Sequence, residues 1–178
     1  TKTMTFFNLN KKQVLFFLTF FFFIFLFGSS KLPVLDRDEA RFASASKTMI
    51  ENNEFIDIRI GDEKRYKKPV GIYWAQITSN YFFGNQPYDN ILIYRLPSLL
   101  GVILGFLIIY LYISKVFNRQ RAFLSIFFLI SSLLSISEIH QAKTDGLLFL
   151  FVNICNLILI ELIRNEKVSK SIKLVFWT

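Results

Sequence analysis

The sequence has one cysteine, Cys155, and one histidine, His140. A lone cysteine closes no internal disulfide, and by itself it says nothing about redox compartment. A lone histidine without a second soft ligand does not make a zinc site. Acidic residues are scarce as well, 13 against 21 Lys and Arg, for a formal net charge of +8. That surplus raises the question of a nucleic-acid partner, but its placement argues for none. Most of it lies in short segments beside apolar runs, where it orients membrane spans and meets lipid headgroups. Internal repeats and low-complexity linkers are missing too, apart from one Phe-rich apolar run.

What is abundant is apolar material. The chain is 53% hydrophobic with 22 Phe, yet 19% of its residues are charged. Those figures exclude a disordered chain and fit an integral membrane protein whose charges sit outside its spans.

The first apolar run, Val14 to Phe27, follows Lys11-Lys12 and closes at Gly28-Ser29-Ser30-Lys31. A basic flank, a short apolar core and small residues also describe a signal peptide. Further hydrophobic runs downstream favour a retained span instead. The expected spans are residues 13–30, 91–113, 122–137 and 146–163. Lys2, Lys11 and Lys12, then Lys115, Arg119 and Arg121, then Arg164, Lys167, Lys170 and Lys173 form three basic segments. All agree on one orientation, with the N-terminus in the cytoplasm. Leu174 to Thr178 reads as part of a fifth span starting near 172. Residue 1 is Thr, and residues 1–178 are expected to be the N-terminal part of a larger transmembrane domain.

The outer loop, residues 31–90, holds the polar chemistry. Asp36 and Glu39 have capping-box spacing, so a helix is expected to start near Arg37. Phe42, Ala45, Met49 and Ile50 share one face, and Asn52-Asn53 ends the helix. This short amphipathic helix is expected to lie along the membrane surface. Ile56 to Ile60 alternates apolar and charged residues and predicts a brief extended segment turning at Gly61-Asp62. After Pro69 a second helical stretch carries Tyr73, Trp74, Tyr81, Phe82 and Phe83, expected as interfacial aromatics.

Several residues here have two readings. Asp38 and Arg41, three apart, are either a surface ion pair or a base beside a phosphate holder. Lys67-Lys68 is either a headgroup patch or, beside Arg41, part of a phosphate site. Asp145 either caps the last span or acts in catalysis. Glu138, His140 and Lys143 read as a solvated turn.

Four segments in order carry a resemblance: Asp38-Glu39-Ala40-Arg41-Phe42-Ala43, Lys68-Pro69 with Tyr73-Trp74, Arg95-Leu96-Pro97-Ser98, and Ala142 with Asp145. Together they resemble the N-terminal part of the GT-C type membrane glycosyltransferases. The likeness is to the aminoarabinose (lipid A) transferases and the dolichyl-phosphate-mannose-protein mannosyltransferase family. The fold it implies is an all-α, multi-span helical bundle with short amphipathic interfacial helices in a long outer loop. The activity it implies moves a sugar from a polyprenyl-phosphate donor to a lipid, glycan or protein acceptor. The active site would face the periplasmic side of the inner membrane, among membrane lipids.

By the same resemblance Asp38 is catalytic and Asp145 a second acid, while Arg41 and Lys68 grip the lipid phosphate. Glu39 and Tyr73 are assigned with them to substrate binding. Lys67 departs from the pattern, because the aminoarabinose transferases carry a metal-binding Glu there. No metal and no cofactor is therefore expected. A different class remains open, a non-catalytic transporter or scaffold subunit whose basic loop binds headgroups.

Overall fold

The computed structural model describes residues 11–61 and 63–164. In chain order it contains α1 (Lys11–Lys31), α2 (Arg37–Asn52), β1 (Arg59–Ile60), β2 (Glu63–Lys64) and α3 (Gly71–Phe83). Then come α4 (Ile91–Val116), α5 (Arg119–Ile130), α6 (Leu133–Ile139) and α7 (Asp145–Arg164). The expected all-α membrane architecture is what forms, apart from one two-stranded hairpin. The expected fifth span lies outside the described residues.

α1, α4 and α7 are long and apolar enough to cross a bilayer. α4, at 26 residues, is the centre of the bundle and packs against α1, α3, α5, α6 and α7. Its crossing with α7 is close because the contact residues are small. A Cβ on Gly101 would come within 2.5 Å of Gly146 O, and one on Gly146 within 2.7 Å of Ser98 Cα. Such backbone approach is how helices associate where no hydrophobic gain separates protein from lipid.

Pro97 sits inside α4 and is buried. Having no N–H, it leaves the Ile93 carbonyl without its helical partner. The Ser79 hydroxyl of α3 donates to that carbonyl at 2.8 Å. The break in α4's hydrogen bonding thus becomes the place where α3 is attached.

The expected continuous third span, 122–137, is not one helix. The chain bends by 67° between α5 and α6. α5 has 12 residues and α6 has 7. At 1.5 Å per residue even α5 reaches only about 18 Å, short of the ~30 Å hydrocarbon core. The cause is a pair of serines. The Ser131 hydroxyl bonds back to Phe127 O at 2.9 Å, while Ser132 caps α6 by accepting from Ser135 N. Such local side-chain bonds compete with helix continuation. The broken pair still returns the chain from the α4 end carrying Lys115–Glu161 (2.8 Å) to the end carrying Arg95.

The segment between α1 and α4 forms the two expected helices and the expected turn at Gly61. α2 ends at Asn53 in the left-handed conformation (φ 54°), which Asn tolerates. Gly61, at φ 59°, turns the β1–β2 hairpin, where Arg59 pairs with Lys64 and Ile60 with Glu63. Phe42, Ala45 and Met49 of α2 bury against Ile72, Tyr73 and Ile77 of α3, a second core beside the one inside the bundle. Tyr73 thereby differs from the expected row of interfacial aromatics. It is fully buried, whereas Trp74, Tyr81, Phe82 and Phe83 are exposed.

Candidate active site

The N-terminus of α2 is built differently from a capping box. Asp36 occupies the cap position in extended conformation but makes no side-chain cap bond. Glu39 reaches past it to accept from Leu35 N at 2.8 Å. The Asp36 carboxylate instead meets Lys143 Nζ at 2.6 Å.

Glu39 is the keystone of this end of the bundle. It is 0% exposed and faces Arg95 of α4, itself 1% exposed. Arg95 Nε donates to Oε1 at 2.7 Å and its Nη2 to Oε2 at 3.0 Å. The remaining donors reach the carbonyls of Ser29, Leu32 and Pro33, at and just beyond the end of α1, at 2.7–2.9 Å. All five guanidinium N–H groups are matched, the condition under which a buried charge is tolerable. Glu39 Oε1 also accepts from Ala142 N at 2.9 Å, and Gln76 of α3 donates to Ala142 O at 3.2 Å. Ala142 is fully buried between them, with its backbone held on both faces. Burial works against the Glu39 charge, but the bonds from Arg95, Leu35 and Ala142 and the charge of Arg95 outweigh it. Its pKa falls below the ordinary glutamate range.

Resting on this clamp, the next residues face outward. Asp38 is 56% exposed, with Arg41 Nη1 at 3.4 Å and Arg65 Nη2 at 4.0 Å. Asp145 is the first residue of α7 and is exposed. Lys143 links the two acidic places, bonded to Asp36 and in the field of Glu138 and Asp145. Partial burial opposes its charge, but the Asp36 hydrogen bond and the three carboxylates together raise its pKa above the ordinary lysine value. The expected solvated turn is accordingly a packed one. His140 Nδ1 lies 2.6 Å from Ile136 O, and its ring stands edge-on to Phe25 at 5.7 Å.

The sequence-predicted residues therefore divide. Asp38 and Arg41 come together, and Asp145 stands on the turn that the Glu39 clamp holds. Lys68 and Lys67 are exposed and form no ion pair among the described residues. Glu39 and Tyr73, expected on the substrate, are buried side chains; every oxygen of Glu39 is engaged by protein, so it positions its neighbours. Burial pushes the Tyr73 hydroxyl above the ordinary phenol range, against the neighbouring Arg65 charge. Arg65, Arg95 and Lys143 escaped assignment from sequence. Of these, Arg95 carried a signal, since arginine near the end of an apolar helix is costly without a partner.

Among the described residues no group of three or more His, Cys, Asp or Glu is placed to hold a metal ion. An open cavity of about 450 Å³, lined by Ile50, Phe55, Ile77, Tyr81 and Tyr88, lies at the far end of α2 from Asp38. It shares no residue with the charged cluster.

The chain is similar to known proteins along most of its length. It is 28% identical over 134 residues to "Undecaprenyl phosphate-alpha-4-amino-4-deoxy-L-arabinose arabinosyl transferase 2" of Proteus mirabilis, covering 75% of this chain and 24% of that protein. It is 26% identical over 167 residues to the corresponding transferase of Wigglesworthia glossinidia brevipalpis, covering 92% of this chain and 29% of that protein. The chain thus spans between a quarter and three tenths of these relatives. In fold it is similar to ArnT from Cupriavidus metallidurans, solved in the apo state and bound to undecaprenyl phosphate. Both structures give a TM-score of 0.75 at 17% identity, over 93% and 94% of this chain and 30% of theirs. Residues 67–178 match the family described as dolichyl-phosphate-mannose-protein mannosyltransferase, a stretch that runs through Lys68, Tyr73, Arg95, Ala142 and Asp145. Because that match covers most of the chain, the chain belongs to the dolichyl-phosphate-mannose-protein mannosyltransferase family.

Proposed function

We propose that the chain contributes to a glycosyltransferase acting at the outer face of the inner membrane. It moves a hexosyl or pentosyl group from a polyprenyl-phosphate donor to a lipid, glycan or protein acceptor. Asp38 accepts or orients the proton of the acceptor oxygen as that oxygen attacks the anomeric carbon. The bond from that carbon to the phosphate oxygen breaks, and Arg41 and Lys68 stabilise the charge left on the lipid phosphate. Asp145 orients the acceptor or the sugar. A lipid-carried donor suits a site that sits at the ends of membrane spans.

One observation supports this reading above the others. The Glu39–Arg95–Ala142 clamp ties Asp38 and Arg41, on α2, to the turn leading into Asp145, on α7, at one end of the bundle. A loop that merely bound headgroups would not need a fully matched buried ion pair beneath its carboxylates. The names of the relatives support the polyprenyl-phosphate donor. Lys67, standing where the aminoarabinose transferases carry Glu, leaves the sugar open between the two classes.

The test is Asp38→Asn in the intact protein, assayed for sugar transfer from a polyprenyl-phosphate sugar in membranes. Transfer should be lost with expression and insertion unchanged, because the amide keeps the shape but cannot act as a base. Asp36→Asn should be mild, since what it loses is a partly exposed ion pair with Lys143 rather than a cap bond. Equal loss at both positions, or full activity in Asp38→Asn, refutes the assignment.

A further inference from the structure

Two largely buried arginines stand near Asp38, and they are built in opposite ways. Arg95 has every N–H matched by an acceptor. Arg65 has a side chain only 12% exposed, and its one ion-pair contact among the described residues is Asp38 at 4.0 Å. Its Nε and the Tyr73 hydroxyl of α3 are both buried without a well-formed hydrogen bond, and the two groups lie beside each other. Native structures seldom leave buried donors unmatched, least of all on a charge. The position is not slack: Arg65 N donates to Ile58 O at 2.7 Å, tying the residue to the hairpin and to buried Ile58.

We propose that Arg65, positioned by Tyr73, grips the phosphate of a polyprenyl-phosphate ligand beside Asp38. The proposal rests on the glycosyltransferase reading above and adds a residue to its donor site. Two guanidinium groups, of Arg41 and Arg65, face the single carboxylate of Asp38, so this corner carries a surplus positive charge. A phosphate brings the negative charge that the corner lacks and charged acceptors for the Arg65 guanidinium. A planar guanidinium can offer two parallel N–H groups to two phosphate oxygens, which an ammonium cannot. Tyr73 is fully buried and does not touch the ligand; its hydroxyl lies beside Arg65 as a positioning group.

The experiment measures binding to the intact protein in nanodiscs. The probes are undecaprenyl phosphate, undecaprenol, which lacks the phosphate, and inorganic phosphate. Arg65→Gln should weaken undecaprenyl phosphate binding about tenfold to a hundredfold, the size of a lost charged hydrogen bond. Arg65→Lys should fall between, and Tyr73→Phe should weaken binding by a smaller factor. Undecaprenol binding should not change in any variant. Arg65→Gln binding undecaprenyl phosphate like wild type overturns the proposal. So does equal weakening toward undecaprenol, which would make Arg65 a structural cation satisfied by water. If Arg65→Gln does not fold, undiminished binding in Arg65→Lys overturns it. Inorganic phosphate binding as tightly as the lipid would overturn the assignment to a lipid-linked phosphate. A wild-type protein with no preference for undecaprenyl phosphate over undecaprenol would instead refute the glycosyltransferase reading itself.

Discussion

Replacing Glu39 by glutamine removes one charge from the most enclosed ion pair among the described residues and changes almost nothing in shape. Arg95 would keep its charge and its three carbonyl partners but lose the carboxylate that balances it. Breaking a buried pair by removing one partner costs about 3–5 kcal/mol, most of it the uncompensated charge left behind. The introduced amide also offers a single acceptor oxygen where Glu39 accepts four bonds, from Arg95 twice, Leu35 and Ala142. The loss should therefore lie in the upper part of that range. Thermal unfolding of the intact protein in detergent should show a clear fall in midpoint. Arg95→Met should do the same. The double variant Glu39→Gln/Arg95→Met should be less damaged than the sum of the two, because neither charge is then stranded. Sugar transfer should fall with Glu39→Gln even below the midpoint, because Asp38 and the 142–145 turn would lose their common anchor. A Glu39→Gln midpoint equal to wild type, or an additive double variant, would show that the clamp carries little of the energy assigned to it.

The pH dependence follows from the same residue. The folded pKa of Glu39 is depressed, so its contribution is fully present above the ordinary glutamate range. It should be lost as pH falls through the depressed folded value, and Glu39→Gln should flatten that acid limb of a stability–pH curve. Gly146→Ala should lower the unfolding midpoint by the equivalent of about 1–3 kcal/mol, since its Cβ meets Ser98 backbone rather than a movable side chain. An unchanged midpoint would mean that α4 and α7 can part without cost. Lys68→Ala should reduce transfer about tenfold to a hundredfold, from a lost charged hydrogen bond of roughly 1.5–3 kcal/mol. Lys67→Ala should cost much less, and activity should survive EDTA. The reverse order would show that the two lysines have exchanged roles, and chelator-sensitive transfer would reveal a bound metal. Single cysteines at 60, 118 and 167 in a Cys155→Ser background should label from outside only at 60. Labelling at 118 but not at 60 would invert the orientation and move the site to the other face.

The elements were legible in the sequence because each rests on a local pattern. The apolar runs of α1, α4 and α7 declare themselves by length, and α2 by the spacing of Phe42, Ala45 and Met49 and its stop at Asn53. Gly61 marks the hairpin turn because that turn needs a positive φ. Motif order pointed to the family through Asp38, Lys68, Arg95 and Asp145. What spacing misjudged was the use of particular polar groups. Three residues from Asp36, Glu39 looked like its capping partner, yet besides the local Leu35 N–H it binds partners 56 and 103 residues along the chain. Arg95 claims Glu39 because a guanidinium at the end of a span has no water to turn to and must find a carboxylate in protein. Tyr73 read as an interfacial aromatic until α2 folded over α3 and covered it. The bend at Ser131-Ser132 was hidden because the residues around it are as apolar as those of a straight span, while the serines satisfy their hydroxyls within the turn. Hydrophobic length and helical period are properties of a segment and survive in the sequence. Which carboxylate neutralises which cation depends on who else is excluded from water at the same place, and only the folded bundle decides that.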